Sequence, residues 1–243
     1  MRQIFCEAKN RTHHATFSRG LFCYNRIMKI GLFDSGRGGL TVLEEIKAVL
    51  PNEEYKYIAD SKNCPYGEKS DDELMKIVRN NVLELKDWGA KVIVIACNTA
   101  TTRCIERLRD EYPELEFIGT EPAIKLAAET GAKEILVMAT PGTIQSERME
   151  KLIKENEDVG QMYHLLACPG LADAIEHDEG VDEKLNELLR NAPKADCVVL
   201  GCTHYSLIKD KIQRFFPEAK IVDGNKGVAQ RVKELVENLW KNE

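Results

Sequence analysis

From Met28 onward, short apolar runs alternate with longer stretches whose apolar positions recur every three or four residues. The short runs are rich in Val and Ile. They predict strands at 29–33, 55–59, 92–96, 116–119, 134–138, 162–166, 197–200 and 220–222. The longer stretches predict amphipathic helices at 40–49, 70–88, 100–111, 123–129, 143–156, 183–192, 207–216 and 226–241. Strands alternating with helices of this length imply βαβ units and a mainly parallel sheet with helices on both faces. Ligands of such sheets bind beyond the carboxyl ends of the strands.

A long-period repeat refines this picture. Val92-Ile-Val-Ile-Ala-Cys97-Asn-Thr-Ala resembles Cys197-Val-Val-Leu-Gly-Cys202-Thr-His-Tyr, with Cys97 and Cys202 lying 105 positions apart. At that offset Ile30-Gly-Leu-Phe-Asp34-Ser35 falls on Ile135-Leu-Val-Met-Ala139-Thr140, and Cys64-Pro65 falls close to Cys168-Pro169. The repeat predicts an α/β fold of two similar domains, each a mainly parallel sheet flanked by helices, with the site in the cleft between them. The expected division is 28–120 plus 225–243 for the first domain and 121–224 for the second. Residues 1–27 stand apart. They carry Arg2, Lys9, Arg11, Arg19 and Arg26 against the single acid Glu7 and show no clean period. Met28 opens a strand directly, so 1–27 is read as an N-terminal extension, expected to be disordered and dispensable.

Composition narrows the function classes. The chain has 243 residues, 43% hydrophobic and 30% charged, which suits a globular fold of one large or two modest domains. The net charge of -6 argues against a protein built around nucleic-acid phosphates. No apolar run is long enough to span a membrane. Eight cysteines without a CxxC pair or zinc-finger spacing read as reduced thiols of a cytoplasmic protein, with no metal site expected. Cys6, Cys23, Cys104 and Cys197 read as packing or surface residues, and Cys64 and Cys168 as structural residues near site loops. His13, His14, His164 and His177 belong to no constellation.

Cys97 and Cys202 are the candidates to carry the chemistry. Each follows a strand and precedes a helix, whose N-terminal partial charge favours a thiolate. In two facing halves, the thiols lie on opposite sides of a bound molecule. That arrangement inverts a carbon centre: one thiolate removes the α-proton and the other thiol returns a proton to the opposite face. A thiol titrates near ~8.5 in isolation, so its surroundings must tune it. The loop Asp34-Ser-Gly-Arg-Gly-Gly-Leu-Thr41 brings backbone N–H groups towards a carboxylate, and its glycine spacing is not a dinucleotide fingerprint. Pro65-Tyr66-Gly67 is a turn presenting a phenol and backbone donors, and Asn98, Thr99 and Thr203 are neutral hydrogen-bonders beside the thiols. Two alternatives have a motif or a logic behind them. Cys97-x5-Arg103 has the spacing of cysteine phosphatases but lacks glycine in its loop and leaves Cys202 unused. A catalytically idle cleft that senses an acidic metabolite would not need two thiols.

Asp34-Ser-Gly-x-Gly-Gly-Leu-Thr-Val, Pro65-Tyr-Gly, Cys97-Asn-Thr-Ala-Thr and Gly201-Cys-Thr-His-Tyr205 occur in the order and spacing of glutamate racemases, within the aspartate/glutamate racemase group. The resemblance runs from Met28 to about Val236. It implies interconversion of L- and D-glutamate without a cofactor, supplying D-glutamate for peptidoglycan and so for the cell wall and cell shape, by an enzyme that is usually a homodimer. By motif position, Cys97 would act on D-glutamate and Cys202 on L-glutamate, assisted by Asp34 and His204. Ser35, Pro65, Tyr66, Gly67, Asn98, Thr99 and Thr203 resemble the family's substrate contacts, as does Thr143 in its Thr-Pro-Gly-Thr loop. Glu176, eight residues after Cys168, resembles a family glutamate near the second thiol. The chain departs from the pattern at Arg37, where Val or Ile is common, at Ala59 before Asp60, and at Ser206, where Pro is common. It also stops soon after its last helix.

Overall fold

Strands buried on both faces organise the molecule. The computed structural model describes residues 4–6 and 27–242. The first half comprises β1 (Ile4–Cys6), β2 (Lys29–Asp34), α1 (Leu40–Val49), β3 (Glu54–Ala59), α2 (Asp71–Asp87), β4 (Val92–Ile95), α3 (Asn98–Glu111) and β5 (Glu116–Gly119). The second comprises α4 (Ile124–Ala128), β6 (Glu134–Ala139), α5 (Pro141–Ile144), α6 (Glu147–Asn156), β7 (Met162–Ala167), α7 (Leu171–His177), α8 (Val181–Leu189), β8 (Cys197–Gly201), α9 (Thr203–Ser206), α10 (Lys209–Phe215) and β9 (Lys220–Val222). The last helix, α11 (Asn225–Asn242), returns to the first half, where Val228, Ala229, Val232 and Val236 pack among Val42, Ile46 and Val94.

The two sheets have the orders β1-β3-β2-β4-β5 and β7-β6-β8-β9. Setting β1 aside, all pairs are parallel and the two orders are the same. In each, the chain reverses its direction of travel across the sheet between the first and third of these strands: β2 and β4 in one half, β6 and β8 in the other. A crevice opens at the carboxyl end of such a switch point. Phe33 pairs with Ile95 there, and Ala139 with Gly201.

The central strands alternate between two apolar layers. Ile93 and Ile95 face α2 and α3, whereas Val92 and Val94 face α1 and α11. In the second half Leu136, Val198 and Leu200 face one layer and Ile135, Val137 and Val199 the other. This two-sided burial explains why the strands read as continuous apolar runs. Cys104, Cys168 and Cys197 are core residues of these layers.

Some expectations are corrected. Residues 4–6 of the extension form a strand, antiparallel to β3, where no element was expected. The rest of the 1–27 extension, apart from Ile27, lies outside the described residues. The single helix expected at 143–156 is two helices. Ser146 accepts the Met149 N–H (3.2 Å) and caps α6, ending α5 behind it. The expected 207–216 helix starts later, after the short α9, and α7 was not expected at all. Among the described residues, no helix is long and apolar enough to cross a membrane.

Candidate active site

Asp34 ends β2 and is fully buried. Its carboxylate accepts the N–H of Ser35 at Oδ1 (2.8 Å) and, at Oδ2, the N–H of Gly39 (2.6 Å) and the hydroxyl of Thr203 from the other half (3.2 Å). Burial pushes its pKa up, opposed by His204 and these donors. Cys97 follows β4 and caps α3 with extended backbone (φ -140, ψ 117). Its thiol donates to the Ser35 hydroxyl at 3.9 Å, and that hydroxyl donates to Asp34 Oδ1 at 3.4 Å.

The second half repeats this placement. Cys202 follows β8 and caps α9 with nearly the same backbone (φ -148, ψ 135). Its neighbour differs: Cys202 Sγ lies 3.9 Å from Nδ1 of His204, whose Nε2 lies 2.9 Å from Glu176 Oε2. Nε2 thus faces the carboxylate and Nδ1 faces the thiol, so the imidazole bridges the two. Glu176 comes from α7, yet first-half groups hold it: the Arg37 N–H (2.7 Å) and the Ser61 hydroxyl. Burial alone would raise its pKa. The hydrogen bonds from His204, Ser61 and Arg37 outweigh that and bring it to about 2.

Two glycines make this contact between halves possible. A Cβ on Gly36 would lie 2.3 Å from the Glu176 carboxylate, and one on Gly38 would lie 2.6 Å from the His204 backbone nitrogen. At Gly38 the obstacle is backbone, so a residue without a side chain is required; at Gly36 a Cβ would displace the Glu176 carboxylate.

Both thiols are closed in, at 5% and 7% exposure. Burial pushes both pKa values up, and Asp34 adds to this in each case. The N–H groups of Ala100 and His204, at the starts of α3 and α9, pull the other way without prevailing. The helix termini thus supply only part of the tuning that the chemistry asks for. Cys202 is raised further by Cys97 and by Cys64, so three thiols share one electrostatic environment.

The remaining candidates lie along the same seam. Thr203 is accounted for by its bond to Asp34. Asn98 and Thr99 are buried in the first turn of α3, and Thr99 Oγ1 meets Thr140 Oγ1 (2.8 Å) and Thr143 Oγ1 (3.2 Å) across the halves. Pro65 precedes a short 3-10 turn that contains Gly67, and a Cβ on Gly67 would lie 2.6 Å from Thr140. Tyr66 departs from expectation. Its phenol is not presented freely but donates to Asp60 Oδ2 (2.7 Å) and accepts from Asn81 Nδ2 (3.0 Å). The arginine that the disfavoured phosphatase alternative would need is occupied elsewhere, since Arg103 binds Asp71 (2.7 Å from Nε) and the Lys69 carbonyl (2.9 Å).

Sequence reasoning missed Ser61 and Asn81 and the contacts of Asp60, Thr140 and Arg37. It treated Cys64 as structural, yet Cys64 is half-buried beside Ser35, with burial and nearby Glu176 and Asp34 pushing its pKa up to about 12. Among the described residues, no group of three or more His, Cys, Asp or Glu is placed to hold a metal ion.

Comparison with known proteins bears on this geometry. The model of the Asp/Glu/Hydantoin racemase family matches residues 41–232. A glutamate racemase of Clostridium novyi (strain NT) is 42% identical over 224 residues, covering 88% of this chain and 86% of that protein. The crystal structure of Escherichia coli glutamate racemase in complex with L-glutamate and the activator UDP-MurNAc-ala superposes with a TM-score of 0.78 at 32% identity, covering 87% of this chain and 83% of that one. Glutamate racemase from Francisella tularensis in complex with D-glutamate superposes with a TM-score of 0.73 at 27% identity, covering 87% and 81%. Shared sequence and shared topology extend over nearly the whole described chain, and this chain therefore belongs to the Asp/Glu/Hydantoin racemase family.

Proposed function

We propose that the chain interconverts L- and D-glutamate without a cofactor, using Cys97 and Cys202 as two opposed acid–base groups. One observation carries this reading. Two buried thiols occupy matching backbone conformations at matching strand ends of facing halves, near enough that a charge on Cys97 raises the pKa of Cys202. The family membership and the glutamate named for its relatives support the substrate.

In the forward step a thiolate forms an S–H bond as the Cα–H bond breaks. The electron pair left on Cα spreads into the α-carboxylate. The opposite thiol then gives its proton to the other face of Cα and is left as the thiolate. Atoms and charge balance, and the reverse reaction exchanges the roles. By the resemblance, Cys97 takes the proton of D-glutamate and Cys202 that of L-glutamate. General acid–base work favours a pKa nearer the working pH, so the rise that burial gives both thiols has to be offset during proton transfer, by the N–H groups at the starts of α3 and α9 and by the hydroxyl and imidazole beside the sulfur atoms. His204 is placed to accept the Cys202 proton, with Glu176 balancing the imidazolium. Ser35 and Asp34 serve the Cys97 side, and Asp34 is the carboxylate that would face the substrate ammonium. Backbone N–H groups around Ser35, Gly67, Asn98 and Thr203 would hold the carboxylates.

The proposal extends to a reducing compartment, the cytoplasm, because both thiols must stay free. It also extends to a homodimer that supplies D-glutamate for peptidoglycan. The test is circular dichroism of either enantiomer incubated with the protein in plain buffer. The signal should decay to zero from both sides. A constant signal with folded protein would overturn the assignment. In heavy water, Cys97→Ser should most impair α-proton exchange from D-glutamate, and Cys202→Ser exchange from L-glutamate.

A further inference from the structure

With both thiols at 5% and 7% exposure, a substrate can reach them only if the two halves part and close again. Something must favour closure, and the contacts of Arg37 are suited to it. Arg37 lies in the first-half loop between β2 and α1. Its guanidinium donates to the carbonyl of Ile175 and lies 3.9 Å from Asp178 Oδ1, while its N–H donates to Glu176. One first-half residue therefore touches three neighbouring positions at the carboxyl end of α7.

That end suits a cation. The last carbonyls of a helix lack helical partners and carry partial negative charge. Asp178, at φ 60, ends the helix, and the N–H it returns to Ile175 is long, at 3.3 Å. The Arg37 side chain is itself 44% exposed, so it fills no core space. Its contacts belong to the junction between halves rather than to the packing of either.

We propose that the Arg37 side chain is a positioning element, a clasp from the first wall to the carboxyl end of α7 that holds the cleft closed. The racemase reading is needed only for the kinetic consequence. Losing the clasp lowers the fraction of closed protein, and the apparent affinity for substrate falls by that fraction. Chemistry in the closed complex is unchanged, since the Arg37 N–H that holds Glu176 belongs to the backbone.

The experiment compares wild type, Arg37→Val and Arg37→Lys on the full chain. Hydrogen exchange without substrate should quicken in Arg37→Val at 171–178, in the opposite half from the substitution, and stay unchanged in the β4 and β8 cores. Arg37→Lys should fall between. Racemisation by Arg37→Val should show KM raised about 5-fold in both directions with kcat within about twofold of wild type. Unchanged exchange at 171–178, faster exchange throughout both halves, or a lower kcat at constant KM would each overturn the clasp. If the wild type proves inactive on glutamate but Arg37→Val still loosens 171–178, the clasp stands and the racemase reading falls.

Discussion

The two thiols share a backbone setting and differ in the groups beside them. Cys97 and Cys202 each cap a helix at the same strand of a repeated sheet, with φ and ψ within about 20° of one another. Beyond the backbone the likeness ends. Asp34 ends β2, but the residue that ends β6 in its place is Ala139. Cys97 leans on a serine hydroxyl backed by that aspartate; Cys202 leans on an imidazole backed by an ionised glutamate. Cys97 heads a helix of 14 residues and Cys202 one of 4, so the dipole of a long helix serves only the first. Duplication of the fold accounts for where the sulfur atoms are. It does not account for the groups beside each sulfur, which differ from one half to the other.

The largest effect should fall equally on both walls. Cys97→Ala and Cys202→Ala should each lower racemisation by about 10³-fold or more, because one thiol cannot serve both faces of a carbon. Polarimetric assay at saturating glutamate checks this. A single alanine variant with more than a tenth of wild-type turnover would mean that one wall suffices, and the comparison would be broken.

Much of this architecture is legible before any coordinates. Val92-Ile-Val-Ile and Cys197-Val-Val-Leu are apolar on both faces because both faces are covered, and each delivers its cysteine one or two residues past the strand. What is not legible is the contact that distinguishes the walls. Helix α7, which carries Glu176, has 7 residues. That is under two full turns, too short for a period to emerge. Gly170 opens it at φ 73, without a capping side chain, and Asp178 closes it at φ 60. The groups that fix Glu176 lie far away in sequence, 139 residues for Arg37 and 115 for Ser61. No local pattern encodes such pairs. The role expected of Tyr66 came from its neighbours Pro65 and Gly67, whereas the direction of its phenol is set by Asp60 and by Asn81 on α2.

A smaller effect should separate the walls. L- and D-glutamate have equal free energy in an achiral solvent, so kcat/KM must stay equal in both directions for every variant. A defect on one wall can appear only in kcat and KM taken separately. His204→Asn removes the acceptor facing Cys202 and should lower kcat/KM by about 10²-fold, with kcat from L-glutamate falling more than kcat from D-glutamate. Ser35→Ala keeps the backbone N–H and loses only the hydroxyl, so about 10-fold is expected, with the opposite bias. Initial rates from each enantiomer decide this. If both variants show the same bias, the walls are not independent proton-handling units.

The smallest expected effect concerns stability rather than rate, and it sets the two carboxylates against each other. Glu176 is held at about 2, below its ordinary 4.5, by donors that favour the anion. The folded chain therefore binds that proton less readily than the unfolded chain. The stability it contributes is complete above about pH 4.5 and is lost as the pH falls towards 2. Asp34 is shifted upward from 3.8 by burial, so its contribution has the opposite sign: greatest in acid, and lost as the pH rises through its folded value. Acid should loosen the Cys202 wall while relieving the cost of a buried charge on the Cys97 wall. Glu176→Gln cannot titrate, so it should lack the part of the Tm decline between pH 4.5 and 2 that belongs to this group, a difference of about 2–4 °C in a chain of this size. Thermal melts of wild type and Glu176→Gln across that range measure it. Parallel decline of the two would mean that Glu176 is not the anionic anchor of its wall, and that His204 faces Cys202 without a charge behind it.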